Sequence, residues 1–527
     1  MRVGVLELLI DEAPSGRLVD RAYRAVFRKQ YASIMPQAVA VWCRQMGHDV
    51  TYATYHGQQD PVRLLPDDLD VLFLATYTQA SALAYALARL YRRRKTLTVI
   101  GGPHARSFPR DCLRFFDLVV GRCDRALVAE ILAGTYDPGS VVSTDRSLTD
   151  VPGVEERMPE LRIASFVRGR PVPSSVVQML ASVGCPYRCD FCVDWDTPYV
   201  TLPRERIEAD LRYLSTHLPG VMTNYLDPNF AVRFDEMMSI METVPAEART
   251  PYIMESSLSV LKGARLQRLR ATNCIYIASG VESWADYSAK AGVGRSTGTS
   301  KLATVVEHFE ELHRYGFALQ ANFILGTDAD RGDEPMALTR EFIDRLPYVW
   351  PIVNVPIPFG GTPLFDACLA ADRVLRTMPF SFYYTPFLVT TLEHYTAADY
   401  CHAMTRIYAL LTSSTMLARR LTTRATWGIR VLHALRTAGM RQDLAAFRRF
   451  GAMLETDDGF RAFHDGERAP LPEFYHRTYE QRLGRYAELL SRVDRTPELD
   501  VDAGYRTTPA AAAGAIAGVS RSAARLT

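Results

Sequence analysis

Residues 181–195 read ASVGCPYRCDFCVDW, and within them Cys185, Cys189 and Cys192 stand at CxxxCxxC spacing after a strand-like apolar run, 177–183. Nine cysteines in 527 residues are too sparse for a disulfide scaffold, and the number is odd. Crowding three of them into one short segment favours a metal site in a reducing compartment. Thiolates suit zinc and iron-sulfur clusters alike, but structural zinc or an ordinary four-cysteine cluster needs a fourth ligand. No nearby Cys or His supplies it, and the next cysteine is Cys274. Three thiolates on a four-iron cube leave one iron open, the condition for binding and transforming a ligand. Two other readings stay open: zinc completed by a distant ligand, and a chance grouping of core cysteines.

Working outward, apolar runs at 177–183, 221–227, 251–256, 274–281, 317–325 and 352–356 form a series of strand candidates. A helical pattern of Leu302, Val305, Phe309 and Leu312, closed by Gly316, separates two of them. Parallel strands need such crossover helices, so the series predicts a full or partial β/α barrel over 175–390. The cysteines then lie on a loop at the carboxyl end of the first barrel strand, where barrel chemistry sits.

Upstream, strand-like segments at 2–8, 49–55, 71–77, 97–100 and 118–120 alternate with helical ones. One helix is bracketed by Pro36 and Gly47, and another shows Ala80, Leu83, Leu87 and Leu90 at helical steps. This rhythm predicts an α/β, Rossmann-like doubly wound parallel sheet over 1–135. Residues 136–174, rich in Pro, Gly, Ser, Asp and Glu, read as a linker, and 391–503 as a mostly helical region. Arg419, Arg420 and Arg424 read as solvated helix faces, and the Ala/Gly/Ser/Arg segment 504–527 as a disordered tail. The length allows two or three domains.

Lys plus Arg number 61 against 59 Asp plus Glu, so bulk charge suggests neither a nucleic-acid nor an acidic-membrane partner. Residues 1–10 read as a strand, because Asp11 and Glu12 follow at once without a cleavage site. The longest membrane candidate, 510–519, is short and Ala/Gly-rich, far from the roughly 20 apolar residues of a spanning helix. A cytoplasmic protein is expected.

The cysteine spacing, with Phe191 before the third Cys and a strand before the first, resembles the signature loop of the radical S-adenosylmethionine (SAM) superfamily. The resemblance implies a [4Fe-4S] cluster on Cys185, Cys189 and Cys192, whose open iron chelates SAM. One-electron reduction then yields methionine and a 5'-deoxyadenosyl radical. An external reductant such as flavodoxin or ferredoxin is implied. The segment 274–284, CIYIASGVESW, is similar to the family's GVES-like strand end, which implies SAM contacts at Gly280, Glu282 and Ser283. YLDPNF, 225–230, resembles the acidic turn at that place, with Asp227 and Asn229, although the usual GGE triplet is absent. By position Glu255 and Ser257, Asn322 in NFILG, and Phe191 join the SAM set; capping of loops is the alternative role for such polar strand ends. PIPFGGTPL, 356–364, resembles a loop of relatives that carry an upstream cobalamin-binding domain. Tyr383 and Tyr384 in FSFYYTPF are either pocket walls or core packing.

The first domain resembles that cobalamin-binding Rossmann-like domain in segments 70–78, 101–104 (GGPH) and 117–124. Thr76, Tyr77, Thr78, Gly101 and Gly102 would face cobalamin's nucleotide tail, the glycine pair serving otherwise as a tight turn. The DxHxxG sequence is missing and no His precedes His48, which implies base-off binding without a His lower ligand. The family's GEGE-like turn appears as Gly121, Arg122, Cys123 and Asp124. The expected activity is cobalamin-dependent C-methylation of a small metabolite. The alternatives are a cobalamin-independent radical rearrangement, cyclisation or oxidation, and a non-catalytic cobalamin or iron-sulfur sensor.

Overall fold

A computed structural model describes residues 1–12, 31–288, 293–423 and 426–502, with the backbone of 506–507. Arg424 and the rest of the segment 504–527 lie outside the described residues.

The first sheet is parallel throughout, its strands ordered β15-β6-β5-β4-β3-β1-β2. They are β1 (Arg2–Leu8), β2 (Asp49–Tyr55), β3 (Val71–Thr76), β4 (Leu97–Gly101), β5 (Leu118–Val120), β6 (Ser140–Ser143) and β15 (Arg506–Thr507). Its strands read as apolar runs because both faces are covered. Val3 and Val5 of β1 pack into one cluster with Trp42 of the helix Ile34–Gln45. Leu6 and Leu8 pack on the other face, in a core shared with the helix Ser81–Arg93.

Two strands of this sheet fall outside the expected 1–135. β6 lies in the segment read as a linker, and the two residues of β15 lie in the segment read as a disordered tail. Each is too short to show a period, and pairing alone defines it. The expected linker also carries the helix Met158–Ala164. Beside it the buried Arg157 donates to Gln37 Oε1 at 2.8 Å, Pro152 O at 3.0 Å and Gln178 O at 3.1 Å. One guanidinium thus ties the first sheet's leading helix to the second sheet.

The second sheet is also parallel, ordered β14-β13-β12-β11-β10-β7. Its strands are β7 (Val176–Met179), β10 (Met222–Tyr225), β11 (Tyr252–Glu255), β12 (Cys274–Glu282), β13 (Ala318–Ile324) and β14 (Val349–Asn354). With β7 and β14 as edges it is a partial barrel. The first strand stops at Met179; β8 (Ser182–Val183) turns away to pair antiparallel with β9 (Val200–Thr201). The last strand begins at Val349, ahead of the expected 352, because an edge strand tolerates Pro351. Leu6, Leu74 and Ile100 of the first sheet share one apolar core with Val177, Leu319 and Val353 of the second.

The region after residue 391 is helical, as expected: Ala397–Leu411, Ser414–Thr422, Trp427–Thr456, Asp458–His464 and Glu473–Leu483. Arg419 is a surface residue paired with Asp344, but Arg420 is 0% exposed, which corrects its reading as part of a solvated face. Among the described residues no helix is long and apolar enough to cross a membrane.

The helix Ala397–Leu411 is fastened to the barrel edge by Tyr400 OH donating to Leu325 O at 2.8 Å and Tyr408 OH donating to Val353 O at 2.9 Å. Tyr408→Phe would leave the Val353 carbonyl unpaired. It is expected to lower unfolding free energy by about 1 to 3 kcal/mol, read by chemical denaturation.

Candidate functional site

The cysteine loop leaves β7 at a buried acid. Asp227, just past β10, accepts from the Ala181 N–H at 3.0 Å through one oxygen and from the Ser182 hydroxyl through the other. Gly184 then turns with φ +71°, and a Cβ there would stand 2.3 Å from Pro198 O and 2.6 Å from Thr197 O. Only glycine fits this crossing. The Cys185 N–H reaches Thr197 O at 3.4 Å, closing the loop on its own return. Tight turns follow, from Cys192 N–H to Cys189 O (3.1 Å) and from Trp195 N–H to Cys192 O (3.0 Å).

The loop is held from other segments as well. Arg106, two residues past the GGPH turn, donates to Asp194 Oδ1 at 2.8 Å, Asp196 Oδ1 at 2.6 Å and Thr197 Oγ1 at 2.9 Å. From the loop after β14, Gly361 O accepts the Trp195 indole N–H at 2.8 Å, and the Leu364 N–H donates to Asp190 O at 3.0 Å. Phe191 stacks on Tyr287 with ring centroids 5.3 Å apart.

Cys185, Cys189 and Cys192 lie half-buried along one loop. The Asp194 N–H points at Cys192 Sγ from 3.4 Å, and Ser288 Oγ lies 3.4 Å from Cys189 Sγ; such polar neighbours stabilise thiolates. Among the described residues no group of three or more His, Cys, Asp or Glu side chains already stands as an ion-holding set. The fit to a cluster therefore rests on the donor chemistry: three thiols and polar hydrogen-bonding neighbours at a parallel strand's carboxyl end.

The other strand-end residues divide into two groups. Asp227 and Asn229 are buried and engaged internally, Asn229 Oδ1 accepting from the Ser257 N–H at 2.9 Å and the Ser256 hydroxyl at 3.3 Å. Ser257 Oγ lies 2.6 Å from Ser259 Oγ, which meets Tyr187 OH at 2.8 Å, so this line runs into the cysteine loop. Ser283 donates to Asp330 at 2.5 Å. Gly280 and Glu282 flank a register shift between β12 and β13, and Glu282 adopts φ +63°, a strained backbone for a residue with a side chain. Glu255 and Asn322 are half-buried at their strand ends, and Gln320 Nε2 donates to Asn322 Oδ1 at 2.9 Å.

Sequence reasoning missed Arg106, Lys301 and Asp330. Asp330 accepts from the Gly326 N–H (2.9 Å) and from Thr327 N–H and Oγ1 (both 3.0 Å), pinning the strand-end loop after β13. Lys301 Nζ donates to Ser283 O at 2.5 Å and Ala285 O at 3.1 Å. An acid four residues past a strand-end glycine is the one signal that pointed to Asp330.

Burial dominates the electrostatics. It pushes the Asp227 carboxyl up to about 6, against the Ser182 and Ala181 hydrogen bonds. It also raises Asp330, and it lowers Lys301 although Glu282, Asp286 and Asp330 oppose it.

At the first sheet, Thr76 and Thr78 are buried and Tyr77 OH lies 2.9 Å from Ser33 Oγ. Gly101 ends β4, and Gly102 takes φ +93° with a Cβ position 3.0 Å from Thr76 O, so the glycine pair makes a close turn against β3. His104 is fully buried, 2.6 Å from Tyr85 OH and 5.3 Å from the Phe380 ring, with burial driving it down to about 3. Asp124 caps the helix Arg125–Leu132 through the Leu127 N–H at 2.8 Å, and Arg122 lies 3.6 Å from Asp196. Tyr383 is buried against Phe108 and Phe380, which assigns it to the core; Tyr384 is half-buried.

No protein-family model matches the chain. Bacteriochlorophyllide d C-12(1)-methyltransferase of Chlorobaculum tepidum is 24% identical over 323 residues, 59% of this chain and 68% of that protein. Bacteriochlorophyllide d C-8(2)-methyltransferase of the same organism is 22% identical over 319 residues, 56% and 68% of the two chains. Among solved structures, the radical S-adenosylmethionine methyltransferase TsrM from Kitasatospora setae, with cobalamin and a [4Fe-4S] cluster bound, is 13% identical. That match covers 85% of this chain and 99% of the other at a TM-score of 0.49. The likeness is too loose to carry the fold, which rests on the strand order and register above.

Gly184→Ala is expected to keep its circular dichroism spectrum but to take up little iron on anaerobic reconstitution; full iron and sulfide loading would contradict the crossing described. For Asp227, a folded pKa of about 6 against an ordinary 3.8 means stability present below about 4 and lost as pH rises through about 6. Urea midpoints measured across that window are expected to fall less steeply in Asp227→Asn than in the wild type.

Proposed function

We propose that the chain is a radical SAM protein with an N-terminal cobalamin-binding-like domain, and that it methylates a carbon of a small metabolite in a cobalamin-dependent reaction. The observation that carries this reading is the three-thiol loop clamped at the carboxyl end of β7 by Asp227, Arg106 and Gly361. The two bacteriochlorophyllide methyltransferases support methylation as the outcome.

Cys185, Cys189 and Cys192 would hold a [4Fe-4S] cluster. When bound, it supplies the electron that cleaves SAM to methionine and a 5'-deoxyadenosyl radical, and cobalamin supplies the methyl-carrying metal. The chain's own part is placement. Phe191, Glu255, Gly280, Glu282, Ser283 and Asn322, at or near the strand ends, are the candidate SAM contacts, Glu282 with its strained backbone among them. Asp227, Asn229 and Ser257 act on the barrel mouth through the loops they brace. Thr76, Tyr77, Thr78, Gly101 and Gly102, at the ends of β3 and β4, are the candidate cobalamin contacts, beyond the carboxyl ends where open parallel sheets bind ligands. With His104 locked in the core, binding is base-off without a histidine ligand. An oxygen-sensitive cluster fits the cytoplasm, and flavodoxin or ferredoxin fits the reductant's role.

A second reading keeps the radical and drops cobalamin, leaving rearrangement, cyclisation or oxidation. It is favoured by the GRCD turn, whose Arg122 and Asp124 serve contacts within the protein. Anaerobic reconstitution with iron and sulfide, then SAM and dithionite, tests both. The wild type is expected to release 5'-deoxyadenosine, and the variant with Cys185→Ala, Cys189→Ala and Cys192→Ala to release none; equal release would overturn the proposal. Stoichiometric cobalamin retained through gel filtration supports methylation, and its absence supports the second reading.

A further inference from the structure

Below the candidate SAM contacts Gly280 and Asn322, nearer the amino ends of the barrel strands, the inner face carries Tyr276, Ala278, Gln320 and Trp350, which neither cofactor is assigned. Register places Tyr276, Ala278 and Gly280 of β12 on one face with Gln320 and Asn322 of β13 and Trp350 and Ile352 of β14. Hydrogen bonds run along it, from Tyr276 OH to Gln320 Oε1 at 2.7 Å and from Gln320 Nε2 to Asn322 Oδ1 at 2.9 Å. Tyr276, Gln320 and Asn322 are all half-buried.

At the lower end of this line stands Arg436, on the helix Trp427–Thr456. Its guanidinium donates to Tyr276 OH at 2.7 Å and lies 5.4 Å from the Tyr276 ring and 5.5 Å from the Trp350 ring. A second guanidinium, the buried Arg420, lies 4.7 Å from the Trp350 ring. Its Nη1 donates to Leu411 O at 2.9 Å and Thr437 Oγ1 at 3.0 Å, while its Nε has no partner. His433, 5.8 Å from Trp350, is pushed down to about 4 by burial and by both arginines, and its Nδ1 is also unpartnered.

Among the described residues neither arginine forms an ion pair. Arg420 is partly compensated, because Leu411 O ends a helix whose carboxyl end attracts cations. Among the described residues Arg436 has no such carbonyl and no carboxylate. Glu255, the acid on the neighbouring strand, lies toward the cysteine-loop end, two residues past Ile253, the residue in register with Tyr276. A half-buried cation so placed, with a second one nearby, favours an incoming anion, and a guanidinium fork matches a carboxylate.

We propose that Arg436, backed by Arg420 and Trp350, binds a carboxylate of the substrate, whose reacting carbon lies up the Tyr276–Gln320–Asn322 line toward the cysteine loop. Tyr276 and Gly280 stand four steps apart, about 13 Å along the strand, which bounds the reach from carboxylate to reacting carbon. The inference rests on the proposed function only in taking the bound acid for the substrate.

Hydrocinnamate and its uncharged amide are suitable probes, titrated into full-length reconstituted protein without reductant and followed by saturation-transfer NMR. Hydrocinnamate is expected to bind the wild type at least about tenfold more tightly than the amide, and to bind Arg436→Gln about tenfold more weakly, with Arg436→Lys in between. Circular dichroism checks that the variants fold. Equal binding of acid and amide, unchanged binding in Arg436→Gln, or no binding of hydrocinnamate at millimolar concentration would each overturn the proposal. These titrations involve no turnover. A wild type that failed to cleave SAM would sink the radical chemistry and leave the carboxylate site standing, and carboxylate-independent binding would do the reverse.

Discussion

A loop with three thiols has little apolar surface to bury, and ordering its backbone costs about 1 to 2 kcal/mol per residue. The structure meets that cost with polar ties from separate parts of the chain. Asp227 holds the start of the loop from β10, Arg106 holds its far side from the first sheet, and Gly361 and Leu364 hold its middle from beyond β14. The site therefore exists only when both sheets have folded and docked. The shared apolar core and the buried Arg157, which joins Gln37 to Gln178, secure that docking.

The polar groups at the barrel mouth are engaged with one another. Asp227, Asn229, Ser257, Ser283, Asp330 and Lys301 each have named partners, which makes the mouth rigid as well as sheltered. Buried hydrogen bonds of this kind fix geometry, and a fixed mouth is what a reactive radical requires. The lower inner face contrasts with it: among the described residues Arg420 and His433 keep unpartnered nitrogens there, and Arg436 has no counter-charge.

Much of the fold was legible because buried parallel strands announce themselves as apolar runs. The strands that escaped were β6, β9 and β15, two to four residues long, which exist by pairing alone. The cysteine site was legible because its ligands are close in sequence. Asp227 and Asn229 stood out by their place at a strand end, but only the fold shows their side-chain oxygens spent on bracing loops. Arg420 was read as solvated because arginine usually is, and a Trp350 face plus a helix end reverse that default.

The sequence alone determined the thiol triad, the parallel α/β character of both sheets and the helical end, since each is written in local spacing and apolar periodicity. The tertiary structure decided which polar side chains brace and which face the barrel interior. Arg106 and Asp194 are 88 residues apart, and Arg436 and Tyr276 are 160 apart. Partner choice across such separations depends on how the sheets and helices dock, and no local pattern encodes it.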